Sequence, residues 1–297
     1  MSATLSTPSS STTSVSLSSR LRMISDKLRS NSRCPSLSVE GMVDLAARCR
    51  IDEEQNADVK REMEAYSRLV VNKDDFEEIK AIGKGRYGTT VHLCRDITTA
   101  NKELCALKSI PKKDTSNAFD PAQACKERNA LCKAADSQWL VGLKYAMQDR
   151  ANLYLVTEYL PGGDLRALMN RNDGALSEEL TLFYMAELTM ALNCLHKLGF
   201  SHLDLRPENV GIDRLGHAKL LDFGAAEELD DEGHIFPGSN LYGCPLYLAP
   251  ELPLALTKQA GNSHKRKLVD GRKCDFWSLG VLGLEMRSGQ VRLLYRF

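Results

Sequence analysis

The chain lacks a net charge. Its 39 lysines and arginines equal its 39 aspartates and glutamates, so no bulk field draws it toward nucleic acid or anionic lipid, and partners have to be argued from local sites. It also lacks an apolar run long enough to cross a bilayer. The longest, around Phe276 to Leu284, is too short and is flanked by Asp275 and Glu285, so no membrane span is expected. No two cysteines form a C-x-x-C pair. The nine thiols are scattered, several inside apolar runs, and read as small buried hydrophobes kept reduced, which implies a cytosolic or nuclear compartment. Residues 1–19 carry no charged side chain and no apolar h-region. They are mostly Ser and Thr and bury too little to order themselves, so a disordered tail is expected over 1–30. An organelle transit peptide fits less well, because Arg20, Arg22 and Arg29 come late and Asp26 intrudes. There is no internal repeat.

What is present is ordinary globular material: 297 residues, 43% hydrophobic and 26% charged, enough for one large or two smaller domains. From Ser38, a plausible N-cap, Val39, Met42, Val43, Ala46 and Ala47 recur at helical spacing. A second helix is expected from about Ala57 to Val70. These define a helical extension over 31–74, suited to packing on a neighbouring domain or pairing two copies.

At Asp75 the pattern turns to strands. Phe76 to Ala81 and Thr89 to Cys94 flank Gly83-Lys84-Gly85-Arg86-Tyr87-Gly88, and Leu104 to Ile110 carries Ala106-Leu107-Lys108. A lone G-x-G-x-x-G also occurs in dinucleotide-binding folds, where it opens a helix. Here Thr89-Thr90-Val91-His92-Leu93 is β-branched and alternating, so the glycines join two antiparallel strands and let backbone amides close over phosphates. Lys108 alone would be a surface lysine. A following helical segment offers Glu127 as its partner, preferred over Glu103 because Ala124, Leu131 and Cys132 mark an apolar face beside it. The strand Leu153 to Val156 then runs into Thr157-Glu158-Tyr159-Leu160-Pro161-Gly162-Gly163-Asp164, an abrupt linker between a sheet lobe and a helical lobe.

The helical part opens at Ser177 with Glu178 and Glu179 in the first turn; Leu182, Met185, Ala186, Leu188, Leu192 and Leu195 are expected to form its buried stripe. It leads to His202-Leu203-Asp204-Leu205-Arg206-Pro207-Glu208-Asn209 and then Asp222-Phe223-Gly224. Asp204 can accept a hydroxyl proton, while Asn209 and Asp222 offer oxygens to Mg²⁺ from two flanks of one short hairpin. His264-Lys265-Arg266-Lys267 reads as a solvated loop, with a nuclear or docking signal as the rival.

The order of glycine loop, Lys, Glu, hinge, catalytic loop, Asp-Phe-Gly, Ala249-Pro250-Glu251 and Asp275-Phe276-Trp277-Ser278-Leu279-Gly280 resembles the protein kinase superfamily from Asp75 onward. Asp75-Phe76-Glu77, Pro161-Gly162-Gly163-Asp164-Leu165, Gly271-Arg272-Lys273-Cys274-Asp275, Gly224-Ala225-Ala226 and the Ser38 to Cys49 helix narrow it. They resemble the citron, Rho-associated and myotonic-dystrophy-related branch of the AGC-type Ser/Thr kinases, citron-like most of all.

The resemblance implies an α+β, bilobal fold: a small β-sheet lobe plus a mainly helical lobe over 75–297. The large lobe is expected to be incomplete after the helix at 276–287. It implies ATP and Mg²⁺. Gly83, Gly85, Gly88, Val91 and Ala106 would surround the nucleotide. Lys108, fixed by Glu127, would meet the phosphates. The Glu158 carbonyl and Leu160 amide would face adenine, and Asp164 the ribose or a basic substrate residue. Asp204 would act as base, with Arg206 facing the γ-phosphate, and Asn209 and Asp222 would hold the metal. Leu131, His202 and Phe223 would stack into a column, and Asp275 would tie the catalytic loop to the following helix.

Three residues depart from the family. Leu203 stands where an Arg normally pairs with a phosphate on the activation segment, Arg206 replaces a Lys, and Cys244 replaces a Thr whose hydroxyl bonds near the catalytic Asp. With the last helices absent, Glu251 would lose its Arg partner and the Phe276 helix its cover, so an unstable or aggregation-prone isolated chain is expected. These departures keep a catalytically impaired kinase-like scaffold open as an alternative. Expected partners are a protein substrate with basic residues before the acceptor, read by Asp164 and Glu208, and a second copy through the N-terminal helices. A small-GTPase effector setting is expected only in a longer isoform. The expected location is cytoplasmic and cytoskeleton-associated.

Overall fold

A computed structural model describes residues 71–85, 88–112, 120–236, 243–256 and 268–291. The tail expected over 1–30, all but the last residues of the extension at 31–74, and the loop from His264 to Lys267 lie outside the described residues.

The first half is an antiparallel sheet in the order β1-β2-β3-β5-β4, made of β1 (Phe76–Lys84), β2 (Thr90–Asp96), β3 (Leu104–Pro111), β4 (Leu143–Gln148) and β5 (Asn152–Glu158). β1 and β2 are joined across the glycine turn, with Gly83 opposite Val91, Lys84 opposite Thr90, and the Gly85 amide donating to the Thr89 carbonyl at 2.8 Å. The β-branched run after the glycines has become a strand, as its alternation requires. Between β3 and β4 lies α1 (Pro121–Ala134), which starts because Asp120 accepts the Ala122 amide and Pro121 supplies a preset first turn.

The second half is mainly helical. β6 (Gly163–Asp164) leads into α2 (Leu165–Arg171), and α3 (Glu178–Lys197) follows. β7 (Phe200–Ser201), β8 (Val210–Ile212), β9 (Ala218–Leu220), β10 (Glu227–Glu228) and β11 (His234–Ile235) are short. α4 (Glu251–Leu256), β12 (Val269–Asp270) and α5 (Gly271–Ser288) complete the order. β6, β8 and β9 form one small sheet; β7 pairs with β10, and β11 with β12.

The Ser177 cap of α3 holds, its side chain accepting the Leu180 amide at 3.2 Å. The expected stripe is misphased. Leu182 is 62% exposed and Ala186 is exposed, whereas Thr181, Tyr184, Leu188, Ala191, Leu192 and Leu195 are buried. A residue next to a buried one lies about 100° round the helix. Thr181 and Tyr184 fix the inward face, Tyr184 donating its hydroxyl to the Gly216 carbonyl, and Leu182 is thereby turned outward. Burying Leu188, Leu192 and Leu195 contributes about 1.5–3 kcal/mol each.

α5 begins five residues earlier than the expected start at Phe276. Asp270 accepts the amides of Arg272 and Lys273, and Gly289, in the left-handed region at φ 72°, closes the far end. Its inward residues Leu279, Leu282 and Met286 join Leu188, Leu192, Leu195 and Phe200 in the main core. Phe276, Trp277 and Leu284 are exposed. Among the described residues, no helix is long and apolar enough to cross a membrane, and the cysteines are free thiols.

Candidate active site

Lys108 sits on β3, bracketed by β2 and β5. Strand register sets Val91 and Leu155 opposite Lys108, and Thr157 opposite Ala106. Directly paired and alternate residues share a face, so Val91, Ala106, Lys108 and Thr157 line one side of the sheet. Gly83, opposite Val91, stands at its end. Gly85 and Gly88 lie in the adjoining turn, and Gly88 has φ 74°, a conformation natural to glycine.

The Lys108 Nζ lies 2.5 Å from Glu127 Oε1 and 2.6 Å from Asp222 Oδ1. Burial alone would push the ammonium toward neutrality, but the charges of Asp222 and Glu127 outweigh it and move its pKa up. The Asp222 carboxyl is moved down, first by the charge of Lys108. Gly224 closes this cluster. A Cβ there would stand 3.1 Å from Asp222 Oδ1 and 3.5 Å from both Glu127 Oε2 and Lys108 Nζ, so a side chain would press on the Asp222 carboxylate. Sequence reasoning missed Gln123, one turn before Glu127, whose Nε2 donates to the carbonyls of Gly224 at 3.1 Å and Ala226 at 3.0 Å. The i, i+4 spacing from Glu127 was the available signal.

Asp204 is held from two sides. Its Oδ2 accepts Asn209 Nδ2 at 3.0 Å and its Oδ1 accepts the Cys244 amide at 2.9 Å. Asn209 also donates to the Asp204 carbonyl at 2.7 Å. The contact of Cys244 with Asp204 is made by its main chain and not by its thiol. Burial moves the Asp204 pKa up, the nearby His202 and Arg206 only partly opposing it. Asp275 fixes the loop's backbone, accepting the His202 and Leu203 amides at 2.8 Å each and the Ser201 hydroxyl at 2.9 Å. This holds Leu203 at φ 60°, while Asp222 sits at φ 54°, left-handed conformations costing about 1–2 kcal/mol apiece. His202 and Phe223 pack with ring centroids 5.6 Å apart, and Leu131 shares their buried surroundings.

Leu203 does not point into water. It belongs to an apolar cluster with Ile235, Leu248, Ala249, Leu252, Val269 and Cys274. Arg206 lies 3.5 Å from Glu208 through its Nε, which is buried and makes no hydrogen bond. Glu251 accepts the Cys274 thiol at 3.7 Å.

At the linker, the Glu158 side chain turns away from the Lys108 face and accepts the Gly142 amide at 2.8 Å and Lys219 Nζ at 2.7 Å. Among the described residues the Leu160 amide has no acceptor, which suits a donor for a ligand. Gly162 approaches so closely that a Cβ would lie 2.7 Å from the Ile212 carbonyl. Asp164 caps α2, its Oδ1 accepting the Ala167 amide at 2.7 Å.

The donor set fits a hard divalent cation. Both N–H donors of Asn209 face Asp204, leaving its carbonyl oxygen as acceptor, and Asp222 keeps Oδ2 apart from Lys108. Among the described residues, no group of three His, Cys, Asp or Glu is placed to hold a metal alone. Asn209 and Asp222 would hold a magnesium ion here together with phosphate oxygens and water.

The protein kinase domain profile matches residues 76–294. The chain belongs to the protein kinase family. It is 38% identical over 224 residues to the serine/threonine-protein kinase MRCK gamma of Homo sapiens, covering 75% of this chain and 14% of that protein. To citron rho-interacting kinase of Rattus norvegicus it is 37% identical over 217 residues, covering 73% and 10%. To Rho-associated protein kinase 1 of Oryctolagus cuniculus it is 38% identical over 223 residues, covering 75% and 15%. The kinase thus falls in the AGC branch expected from its sequence, and it spans 10–15% of the length of these curated relatives.

Proposed function

We propose that this chain is an ATP-dependent serine/threonine protein kinase that transfers the γ-phosphoryl group of Mg-ATP to protein hydroxyls. The observation that carries the reading is the pairing of Lys108 with Glu127 and Asp222, with Asp204 and Asn209 bonded to each other. Lys108, held charged by two carboxylates, places the α- and β-phosphates. Gly83, Gly85 and Gly88 allow main-chain amides to approach the phosphates from above, while Val91 and Ala106 give adenine an apolar surface. The Glu158 carbonyl and the Leu160 amide read the adenine edge, and the remaining Asp164 oxygen meets the ribose. Asn209 and Asp222 hold magnesium, which when bound neutralises charge on the transferring group. Asp204, aligned by Asn209 and the Cys244 amide, accepts the substrate proton, and Arg206 supplies positive charge at the γ-phosphate.

A radiolabelled-ATP assay on the intact chain beside Asp204→Asn tests this. Transfer by the wild type, reduced about 10²-fold or more in the variant, is expected; no transfer by either supports the second reading, a kinase-like scaffold. That reading is favoured by Leu203, whose side chain offers no charge to an activation-segment phosphate. Residues 31–74 pair two copies in this reading, and Phe276, Trp277 and Leu284 are exposed on α5. The setting is cytoplasmic and cytoskeletal. The names of the citron rho-interacting and Rho-associated relatives support a small-GTPase context for a longer form.

A further inference from the structure

Arg166, on the first turn of α2, meets residues from three other elements. Its Nε donates to Glu208 Oε1 at 3.0 Å, and its Nη2 donates to Glu285 Oε1 at 2.7 Å and to the Tyr247 hydroxyl at 3.3 Å. Tyr247 in turn donates to the other oxygen of Glu285. Glu285 is buried on α5, while Glu208 is part-exposed at the protein surface. Glu208 adjoins Asn209, and Tyr247 follows closely on Cys244, the two residues that grip Asp204. A peptide delivering its hydroxyl to Asp204 therefore passes this anionic pocket. Two carboxylates fixed at that spacing would seat an arginine or lysine of the peptide. The chain instead fills the seat with a guanidinium of its own, and Glu208 is thereby taken out of the pocket for basic residues expected from the sequence.

We propose that Arg166 is a specificity-determining residue, an internal guanidinium that occupies the acidic pocket beside the acceptor site. The chain then selects no basic residue at this subsite, and removing Arg166 exposes such a selection. The proposal rests on the kinase reading above.

The test compares matched serine peptides carrying Arg, Ala or Glu at each of the three positions before the acceptor. They are assayed with the full chain and with Arg166→Leu and Arg166→Lys. For the wild type and Arg166→Lys the Arg-to-Ala ratio of kcat/KM is expected near unity. In Arg166→Leu one position should favour Arg by about tenfold, carried by KM, the scale of one charge-assisted hydrogen bond. A wild type that already selects Arg, or an Arg166→Leu that changes every peptide equally, overturns the proposal. If loss of the guanidinium unfolds the chain around buried Glu285, Arg166→Leu with Glu285→Gln removes that stranded charge and keeps the Glu208 carboxylate, with a smaller but still measurable preference for Arg expected and a ratio of unity overturning the proposal. If the wild type phosphorylates no peptide, the kinase reading fails separately. Fluorescence anisotropy of the same peptides then decides this point, a tenfold gain in Arg-peptide affinity on mutation supporting it and an unchanged ratio overturning it.

Discussion

Two cations in this chain are each clamped by two carboxylates, and they are clamped differently. Lys108 meets Glu127 and Asp222 through a single nitrogen at the end of a flexible stem. Arg166 meets Glu208 and Glu285 through separate nitrogens of a rigid planar fork. A point charge can slide toward an incoming phosphate, and half-exposed Asp222 can turn an oxygen to a metal. A forked charge between a buried carboxylate and a tyrosine cannot be drawn away cheaply. The first cluster is suited to exchanging partners during a reaction, the second to staying as it is.

The sharpest way to break this contrast is Glu285→Ala. It takes one of two carboxylates from Arg166, which keeps Glu208, and leaves the buried Tyr247 hydroxyl without its acceptor, so a loss of about 1–3 kcal/mol is expected in urea unfolding. A loss below 1 kcal/mol would show that the fork is not clamped. Lys108→Met is the counterpart. Phosphoryl transfer should fall about 10²-fold, near 2.7 kcal/mol at 1.36 kcal/mol per decade, and some stability is lost as buried Glu127 is left without its cation; retained transfer would reverse the roles of the two clusters. The pH dependence sharpens the picture further. Burial raises the Asp204 pKa above its ordinary 3.8, so the proton-accepting form is lost as pH falls through a value higher than that. The acid limb of kcat/KM should lie above the ordinary aspartate range, and a limb at or below 3.8 would count against burial as the cause. The smallest effect belongs to Cys244→Ser. Because the main-chain amide makes the contact with Asp204, stability should change by less than about 0.5 kcal/mol and transfer by less than about twofold.

Much of the site was legible in the sequence because its parts are local. The glycine turn, the lysine strand, the Ser177 cap and the catalytic loop each announce themselves within a few residues, through φ requirements, alternation or capping. What was not legible depends on distance along the chain or on phase. Arg166 finds its carboxylates 42 and 119 positions away, and no local pattern marks it. The α3 stripe went wrong because apolar residues lie on several sides of that helix, and only packing chooses the inward one. The early start of α5 follows from the Asp270 cap, which Gly271 beside it disguised. The contact of the Cys244 backbone with Asp204, 40 positions away, has no local sequence signal.

The seat of Leu203 has its own outcome. A stretch joined to the catalytic loop through Ile235, Leu248 and Val269 is greased rather than latched. Neither phosphatase treatment nor added salt should pry it loose, and its grip should slacken on chilling, the opposite of an ionic clasp.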